Sequence, residues 1–564
     1  YTLDASSDLV RIEAATDEGL FRGVQTLRLL LPAEIEADSV QAGPWTVPGV
    51  EIVDYPRYEW RGAHLDVSRH FLEVDEVKRY IDLLALYKIN RFHLHLSDDQ
   101  GWRIQIDSWP DLTEIGGSTE VGGGPGGYFT KEDYTEIIEH AAQYHIIVIP
   151  EIDVPGHTNA AEVSYPELNS CRPDNLPSHR FVSGWEDEPF YTGTSVGFSG
   201  LCVHDEVTYE FMADVIREIS EITPGPYFHI GGDEAFQTPL DDYVMFMDRM
   251  RDLVEDNGKT MMGWAELARA NPHPGSIAQH WSTATGSGSG GNLARMAVAK
   301  DMKVVMSPAN RVYMDMKYAP GVPPNLGLTW AGTVEVRQSY DWDPGSHLTG
   351  VTDDNIIGVE APLWTETVVD VDDAELMAYP RLAGVGEIGW TPQSGRVWED
   401  YRLRLAAQAD RWDVLDVNYY RSPQVPFPLD TEEGPFSTMA NYQDYVLDNM
   451  VDGDLSTLYW TNRAPVSGDY FGVDLGEVDT VTGVEILMAS TSGPVARPDD
   501  YLRDGVVEVS TDGVTWQALE AVSGQPEIVL SLTEPVEARW VRLRATAAQN
   551  EWVQVREFTV ESAG

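Results

Sequence analysis

The stretch Pro226-Tyr227-Phe228-His229-Ile230-Gly231-Gly232-Asp233-Glu234-Ala235 places an apolar run directly before two glycines and two adjacent carboxylates. A short apolar run with this ending is typical of a buried strand that delivers its last side chains to the edge of a sheet. Two neighbouring carboxylates repel each other, so at least one of them holds a proton that is available for acid–base chemistry. The stretch therefore predicts a strand end that carries a reactive pair, Asp233 and Glu234.

Eight such apolar runs occur in the chain, and amphipathic helical segments lie between most of them. The runs are Ala63–Val67, Arg91–Ser97, Ile146–Glu151, Tyr227–Gly232, Thr260–Trp264, Ser276–Trp281, Lys303–Ser307 and Ile357–Trp364. The predicted helices include Val74–Tyr87, Lys131–Tyr144, Asp205–Ile222, Asp241–Asn257 and Asp372–Leu382. Eight strand–helix alternations over this length favour an α/β protein built on a closed (β/α)8 TIM barrel.

Two regions of different pattern flank the predicted barrel. A strand-like alternation at Leu9–Ala15 and a helical pattern at Asp17–Leu31 indicate a small α/β unit, and Pro44–Pro56 is expected to be a linker. Near the C-terminus helical patterns disappear, which predicts an all-β jelly-roll sandwich. Its strands are expected at Tyr470–Leu475, Val481–Met488, Val506–Ser510, Pro526–Leu532, Arg539–Ala545 and Val553–Val560. The predicted domains are residues 1–56, 57–425 and 437–563.

Composition restricts the partners that the chain can have. Its 564 residues carry a formal net charge of −54, which disfavours nucleic acid and anionic membranes. No stretch reaches the roughly 18 consecutive apolar residues of a membrane helix. Many of the 17 Trp and 25 Tyr residues follow predicted strands, which favours a carbohydrate ligand. The two cysteines, Cys171 and Cys202, fit one disulfide in a secreted protein, although two free thiols are the alternative.

Polar and aromatic side chains follow the predicted strands one after another. In strand order they are Arg69; Asp98 and Asp99; Asp153 and His157; Asp233 and Glu234; Trp264; Trp281; Tyr313 and Asp315; Trp364 and Glu366. The carboxyl ends of barrel strands form one face, where the active sites of such barrels lie. We therefore expect these side chains to meet at a single rim.

The adjacency of Asp233 and Glu234 restricts the chemistry. In a retaining glycosidase the acid and the nucleophile lie roughly 5 Å apart across the sugar, whereas neighbours on an extended chain point to different sides. Substrate assistance fits better, because there a 2-acetamido group on the sugar is the nucleophile. One acid then protonates the leaving oxygen, and the other holds the acetamido N–H.

These motifs resemble those of glycoside hydrolase family 20, the β-N-acetylhexosaminidases, and most closely its secreted bacterial exo-acting members. Besides Phe228–Glu234, the matching segments are Asp66–Phe71, His95–Arg103, Val154–Thr158, Tyr313–Tyr318 and Glu360–Glu366. The resemblance extends from the N-terminal unit to about residue 425. It implies a retaining enzyme that removes terminal β-linked GlcNAc, and GalNAc as well, through an oxazolinium intermediate. No metal or organic cofactor is expected for catalysis.

The resemblance also implies roles for individual residues. Glu234 would be the general acid and base, Asp233 would orient the acetamido group, and Tyr313 would donate to its carbonyl oxygen. The implied substrate-binding residues are Arg69, Asp98, His157, Trp264, Trp281, Asp315, Trp330, Trp364 and Glu366. Among them, Asp98 and His157 would form a hydrogen-bond relay toward Glu234. The alternatives are a structural ion pair for Arg69, a turn cap for His157 and a core position for any single tryptophan.

The C-terminal region resembles discoidin-like domains of the factor 5/8 C type, which include family 32 carbohydrate-binding modules. The segments that carry this resemblance are Asp452–Trp460 and Phe471–Gly476. It implies a sugar-binding module that can hold a structural calcium ion, with a packing domain that binds no ligand as the alternative. The expected partners of the whole chain are chitooligosaccharides and glycoprotein or mucin-type glycans.

Two points leave alternatives open. The segment between Cys171 and Cys202 is long, and its Arg180, Trp185 and Tyr191 are expected to reshape the leaving-group side. A lacto-N-biosidase-like or sulfo-GlcNAc-specific hydrolase of the same family is the nearest alternative function. A non-catalytic glycan-binding adhesin is a remote one, since it predicts the loss of Asp233, Glu234 or Tyr313.

Overall fold

The computed structural model describes residues 1–427, 429, 431, 433–491 and 495–563. The chain separates into two compact units. One consists of Tyr1–Trp398 with Asp410–Tyr420, and the other of Glu399–Ala409 with the chain from Arg421 onward. The small N-terminal region thus belongs to the same unit as the barrel, and the finer division at residues 56, 425 and 437 stays a prediction.

The N-terminal region is a small sheet with one helix. Strands β1 (Thr2–Ala5), β2 (Val10–Glu13) and β3 (Val50–Val53) form an antiparallel sheet in the order β2-β1-β3. Helix α1 (Asp17–Leu30) begins after Thr16, whose side chain caps it by accepting the Gly19 amide at 3.1 Å. The linker predicted over Pro44–Pro56 is wrong at β3, because the flanking prolines masked a short strand that pairs with β1.

Eight parallel strands close into the predicted barrel. They are β4 (Trp60–Asp66), β5 (Arg91–His95), β6 (Ile147–Glu151), β7 (Tyr227–His229), β8 (Thr260–Trp264), β9 (Ile277–His280), β10 (Lys303–Met306) and β11 (Ile356–Leu363). Their order is β10-β11-β4-β5-β6-β7-β8-β9, and β9 pairs with β10 to complete the ring. Both faces of such strands are buried, so each one appears in the sequence as a nearly continuous apolar run. The prediction of a TIM barrel is confirmed.

Fourteen further α-helices follow α1 in the described part of the chain. They are α2 (Val74–Leu86), α3 (Asp111–Glu114), α4 (Lys131–Gln143), α5 (Asn159–Ser164), α6 (Glu206–Ile222), α7 (Leu240–Asp256), α8 (Asn292–Ala299), α9 (Ala309–Val312), α10 (Val336–Tyr340), α11 (Pro344–His347), α12 (Val371–Ala378), α13 (Arg381–Trp390), α14 (Trp398–Ala406) and α15 (Ala409–Val414). Within the described residues, none of the helices has the length and apolar character needed to cross a membrane.

The single helix predicted over Asp372–Leu382 is wrong, because the structure contains two helices there. Tyr379 has an extended backbone at φ −99° and ψ 135° and ends α12. Pro380 follows it, and a proline disfavours helical backbone in the residue before it. Helix α13 begins anew at Arg381.

The interior of the barrel contains an apolar cluster and a polar one. Trp60 packs in a cluster with Ile149, Met262, Ile277, Val305 and Ile357. Near the carboxyl ends of the strands, Glu151 lies 2.6 Å from His95 Nδ1, 3.0 Å from His93 Nε2 and 3.0 Å from His229 Nδ1. Ionisable side chains are almost never fully buried unless they are paired, and these are paired. The polar cluster therefore supports the rim from below.

The C-terminal domain is an antiparallel β-sheet domain. Its strands are β12 (Gly434–Ser437), β13 (Tyr459–Trp460), β14 (Tyr470–Met488), β15 (Asp504–Ser510), β16 (Gln517–Ser523), β17 (Glu527–Ala545) and β18 (Gln554–Ser562). Two pairs of predicted strands are merged into the 19-residue strands β14 and β17, because the ladder between them continues across register shifts. The predictions also missed β12, β13 and β16, of which β12 and β13 are very short and β16 is mostly exposed.

Candidate active site

The end of β7 places the two predicted catalytic acids at the rim of the barrel. Gly231 and Gly232, with φ of +63° and +99°, follow the strand. A Cβ on Gly231 would lie 1.8 Å from Asp153 Oδ1, and the Gly232 amide donates to the same oxygen at 2.9 Å. The glycines are required here because only they allow Asp153 to hold the backbone from which Asp233 and Glu234 project.

Glu234 has an unusual backbone conformation for a residue with a side chain. Its φ is +46°, and this left-handed conformation costs about 1–2 kcal/mol for a residue other than glycine. Strain of this kind persists where the surrounding structure fixes it, and it is frequent at active sites. The side chain of Glu234 is 24% exposed and that of Asp233 12%. The turn therefore gives the two neighbouring acids different environments.

Asp233 lies where its neutral form is favoured. Burial raises the pKa of Asp233 to about 7, while His157 acts to lower it and Glu234 acts to raise it. Its Oδ1 atom has no hydrogen-bond partner among the described residues. An unpartnered buried oxygen is costly, so this atom is suited to accept a hydrogen bond from an amide N–H of a ligand.

His157 connects the acid pair to a charged network below the rim. Its Nε2 atom lies 3.5 Å from Glu234 Oε2 and 3.7 Å from Asp233 Oδ2, and its Nδ1 atom lies 3.1 Å from Asp98 Oδ1. Burial acts to lower the pKa of His157, but Asp98 and Asp153 outweigh burial and raise it well above its ordinary value. The ring is therefore positively charged beside Glu234.

Asp98 and Asp99 have separate partners. Asp98 Oδ2 lies 2.8 Å from Arg69 Nη2. Burial acts to raise the pKa of Asp98, but Arg69 and His157 hold it well below its ordinary range. Asp99 instead accepts the Asn159 amide at 3.1 Å, and burial raises its pKa to about 7. Asp98 is thus the ionised member of the pair and contacts both Arg69 and His157.

A second group of acids follows β10 and β11. Both carboxyl oxygens of Asp315 and the Oε2 atom of Glu366 are buried and have no hydrogen-bond partner among the described residues. Burial raises the pKa of both carboxyl groups. The Arg69 guanidinium lies 5.0 Å from the centre of the Trp364 ring. Unpartnered acids beside a cation and an indole are suited to hold the hydroxyl groups of a ligand.

Aromatic side chains supply the remaining surface. The ring centres of Tyr313 and Trp330 are 5.7 Å apart, those of Trp281 and Trp330 are 6.0 Å apart, and those of Trp264 and Trp364 are 5.7 Å apart. Trp330 is 54% exposed, whereas Trp264 is only 1% exposed. Trp330 therefore lies at the mouth of the site, and Trp264 lies behind Trp364.

One cavity of about 440 Å³ collects most of the predicted residues. The nine that line it are Arg69, His157, Asp233, Glu234, Trp281, Tyr313, Trp330, Trp364 and Glu366. The predicted substrate-binding residues that lie outside its lining are Asp98, Trp264 and Asp315, each 1% exposed. The sequence identified the strand ends that carry these three side chains, but it contains no signal for the depth at which each one lies.

Sequence reasoning missed three residues of the cavity wall. They are Thr194, Val196 and Leu328. The first two lie between Cys171 and Cys202, which form a disulfide with Cα atoms 5.6 Å apart. The side chains expected to act in this segment were Arg180, Trp185 and Tyr191, and none of them lines the cavity. Trp185 and Tyr191 instead pack against each other, with ring centres 4.7 Å apart. In the sequence, only the two bracketing cysteines pointed to this segment as part of the site.

Three buried groups of histidines and acids in the described residues have ligand atoms within 4.8 Å of one another. They are His64 with His93 and Glu151, Asp98 with Asp99 and His157, and Asp153 with His157 and Asp233. Each group includes at least one close contact between a histidine nitrogen and a carboxylate oxygen, such as the 3.0 Å between His93 and Glu151. In the third group the contact is longer, at 3.7 Å between His157 Nε2 and Asp233 Oδ2.

Comparison with known proteins assigns most of the chain to known domain families. Residues 58–242 and 237–393 match "Glycosyl hydrolase family 20, catalytic domain", residues 1–55 match "Glycosyl hydrolase family 20, domain 2", and residues 435–558 match "F5/8 type C domain". The chain is 41% identical over 432 residues to a β-N-acetylhexosaminidase of Cellulomonas fimi, which covers 76% of this chain and 81% of the relative.

Solved structures agree with this assignment. The family 20 β-N-acetylhexosaminidase from Streptomyces coelicolor A3(2) superimposes with a TM-score of 0.72 at 54% identity, covering 76% of this chain and 83% of that one. The Streptomyces plicatus N-acetyl-β-hexosaminidase in complex with Thio-NAglucal gives the same values. The resemblance predicted from the sequence is confirmed, and this chain belongs to glycoside hydrolase family 20.

Proposed function

We propose that this chain is a retaining exo-β-N-acetylhexosaminidase that removes terminal β-linked GlcNAc or GalNAc. The observation that carries the proposal is the adjacency of Asp233 and Glu234 in a cavity that also contains Tyr313. Acids on neighbouring residues do not bracket a sugar as an ordinary acid–nucleophile pair does. The 2-acetamido group of the substrate therefore supplies the nucleophile.

In the first step Glu234 donates its proton to the glycosidic oxygen. The C1–O bond breaks while the acetamido carbonyl oxygen bonds to C1, which gives a cyclic oxazolinium ion and releases the leaving group as an alcohol. Glu234 becomes a carboxylate in this step. The charged ring of His157, 3.5 Å from Glu234 Oε2, stabilises that carboxylate.

In the second step Glu234 acts as the base. It takes a proton from water, the water oxygen bonds to C1, and the bond from C1 to the acetamido oxygen breaks. Each step inverts the configuration at C1, so the released sugar keeps the β configuration of the substrate. Only one side chain transfers protons, and for this reason a second acid across the sugar is not required.

Asp233 and Tyr313 act on the acetamido group. Asp233 Oδ1, which lacks a partner among the described residues, accepts the acetamido N–H. Asp233, whose pKa is raised by burial to about 7, acts here as the carboxylate, so its attraction to the acetamido group grows as positive charge develops on the oxazolinium ion. Tyr313, 3% exposed, donates its hydroxyl hydrogen to the acetamido oxygen. Both groups thus bind the charged intermediate more strongly than the substrate.

The remaining side chains select a single terminal sugar. Glu366 and Arg69 hold the outer hydroxyl groups, and Asp315 holds the 6-hydroxyl group from just behind the wall. The tryptophans pack on the faces of the sugar and on the acetamido methyl group. A cavity of about 440 Å³ is near the small end of the range for ligand sites, which supports exo cleavage.

The alternative functions are less well supported. A lacto-N-biosidase-like enzyme needs room for a second sugar beyond Arg69 and Glu366. A sulfo-GlcNAc-specific enzyme needs a free cation in the cavity that holds the terminal sugar, whereas Arg69 in that cavity is already paired with Asp66 and Asp98. A non-catalytic adhesin does not require the acid pair or Tyr313, and both are present.

The C-terminal domain is proposed to bind a glycan through a cluster of aromatic rings. Tyr442 has its ring centre 5.1 Å from that of Trp552 and 5.3 Å from that of Trp460, and Tyr445 lies 5.5 Å from Trp460. Trp460 is fixed by a 3.0 Å hydrogen bond from its Nε1 atom to Asp500. Such rings offer flat apolar faces to sugars of chitooligosaccharides and of glycoprotein or mucin-type glycans.

A structural calcium ion is proposed in the same domain. Glu557 Oε2 is buried without a hydrogen-bond partner among the described residues. Burial raises the pKa of Glu557, and the nearby Asp452 carboxylate raises it further. Carboxylate oxygens are ligands for calcium, so Asp452 and Glu557 are the proposed ligands. Thr457, whose hydroxyl donates to Asp452 Oδ2 at 2.8 Å, would be the third. Adding calcium to chelator-treated protein should raise the melting temperature of this domain, and no change would contradict the site.

We also propose that the protein is secreted. The Cys171–Cys202 disulfide is stable in an oxidising compartment and rare in the cytosol. Polymeric and conjugated glycans are extracellular materials, so the proposed substrates agree with this location. Comparing the enzyme in culture medium and in cell extract tests it.

One assay tests the catalytic proposal. Aryl β-GlcNAc, aryl β-GalNAc, an aryl β-lacto-N-bioside and an aryl β-glucoside are offered to the wild-type protein. The first two should be hydrolysed, and the glucoside should be a very poor substrate because it lacks the acetamido nucleophile. NMR should show the β anomer as the first product. Failure to hydrolyse both hexosaminides, or an α product, would overturn the proposal.

A further inference from the structure

A second cavity, of about 320 Å³, shares Glu234 and Trp281 with the sugar cavity. Its apolar surface comes from Phe236 and Leu240, which are 72% and 57% exposed. The indole of Trp281 donates to Glu266 Oε2 at 3.1 Å, which holds the shared wall. Because Glu234 protonates the oxygen that joins the terminal sugar to its leaving group, a leaving group that starts at Glu234 has this second cavity beside it.

The walls of the second cavity are fixed by packing. A Cβ on Gly197 would lie 2.3 Å from Phe236 Cδ2, so the phenyl ring rests directly on that backbone. The Gln237 side chain donates to the Gly197 carbonyl at 3.1 Å. Tyr243 donates its hydroxyl hydrogen to the Gly232 carbonyl at 2.9 Å. The cavity is therefore a preformed feature, and binding there costs little reorganisation.

Arg269 is the basic residue in the lining of this cavity. It ends the short 3₁₀-helix Ala265–Arg269 that follows β8, and it is exposed. Within the described residues, no carboxylate lies within ion-pair distance of its guanidinium, which is unusual in a chain with 92 acidic and 38 basic residues. The overall negative charge repels anionic groups at long range. Arg269, a cation without an ion pair, is therefore the local feature that would admit one. Its charge also acts on Glu266 in the same lining, where burial raises the pKa of Glu266 and Arg269 acts to lower it.

On the basis of the proposed function, we propose that the second cavity is a leaving-group subsite that selects leaving sugars bearing a carboxylate, that is, uronic acids. A guanidinium matches a carboxylate with two parallel hydrogen bonds. Arg269 binds the carboxylate, while Phe236 and Leu240 contact the apolar C–H face of the same sugar. Neutral leaving sugars lose the ion pair but keep the apolar contact.

The test compares two substrates that differ only at C6 of the leaving sugar. GlcNAc β-linked to glucuronic acid and GlcNAc β-linked to glucose are hydrolysed by the wild type, Arg269→Gln and Arg269→Glu. The wild type should show a kcat/KM about fivefold higher for the acidic substrate, the size expected of a partly exposed ion pair. The ratio should fall to about one in Arg269→Gln and below one in Arg269→Glu. High salt should reduce the wild-type preference.

The control is Arg217→Gln, which removes an exposed arginine from α6, away from both cavities, and should leave the ratio as in the wild type. The inference is overturned if the wild type prefers the neutral substrate, or if both Arg269 variants keep the wild-type ratio. Equal losses on the two substrates would also overturn it, since they indicate a merely structural role. Aryl β-GlcNAc is assayed in parallel, and wild-type hydrolysis of it shows that a failed ratio contradicts the subsite and not the catalytic proposal.

Discussion

The barrel cavity and the aromatic cluster of the C-terminal domain are both suited to bind sugars, but they are formed by different kinds of side chain. In the cavity, Asp233 and Glu366 have buried oxygens without partners among the described residues, and so does Asp315 just behind the cavity wall. The C-terminal cluster presents half-buried rings such as Tyr442 and Trp552 instead. Buried acids reduce the stability of the fold at neutral pH, whereas rings contribute apolar contact at no such cost. The difference indicates chemistry in the first region and simple binding in the second.

The largest expected effect comes from replacing the proton donor. Glu234→Gln should lower kcat/KM about 10³-fold for a GlcNAc disaccharide, because general acid catalysis contributes 10²–10⁴-fold. The loss should be much smaller for an aryl glycoside with an acidic phenol, which departs without full protonation. Steady-state kinetics on both substrates checks this, and equal losses would contradict the role of Glu234 as an acid.

A somewhat smaller loss is expected from Asp233→Asn. It should lower kcat about 10²-fold, the usual size for removing one group that stabilises charge in a transition state. Asp99→Asn is the matched control, because Asp99 is also buried, at 2% exposure, and an amide oxygen can still accept the Asn159 amide hydrogen. Kinetics of both variants with aryl β-GlcNAc provides the measurement. A loss in Asp99→Asn as large as that in Asp233→Asn would show that burial of the charge, and not the acetamido contact, is what matters.

The C-terminal cluster should affect binding and not turnover. Trp552→Ala should weaken adsorption to insoluble chitin about tenfold, as loss of a central aromatic contact does, with less than a twofold change in kcat/KM for soluble aryl β-GlcNAc. Trp516→Ala removes a half-buried tryptophan that packs on Arg542 in the same domain and serves as the control. Equal adsorption by the wild type and both variants would show that the cluster does not bind sugar.

The smallest effect is on stability, and its sign depends on pH. Burial raises the folded-state pKa of Asp315 well above 3.8. Above pH 3.8 the unfolded chain releases this proton more readily than the folded one, so the group destabilises the fold increasingly as pH rises. Asp315→Asn should therefore raise the melting temperature by about 2 °C at pH 7 and by less at pH 4.5. Calorimetry at both pH values checks this, and a lower melting temperature at pH 7 would contradict the assignment.

Much of the fold could be predicted because the determining signals are local. Parallel barrel strands are buried on both sides, so each appears as an apolar run, and all eight runs correspond to strands. The helix broken at Pro380 shows where local signals mislead. The helical pattern of the sequence continues through Tyr379, but the backbone at that position is not helical. In the C-terminal domain, long-range pairing between β14 and β17 joined segments that looked separate. A linear pattern contains no record of such pairing.

The sequence by itself determined which side chains reach the rim, because the chemical type and order of Arg69, Asp233, Glu234, Tyr313 and Glu366 follow from where each strand ends. Only the tertiary structure decided the depth of each group and the second cavity beside Glu234. Burial, pairing and pKa depend on neighbours that are distant in the chain. Arg269 illustrates this, since only the fold shows that no carboxylate of the described residues lies within ion-pair distance of its guanidinium.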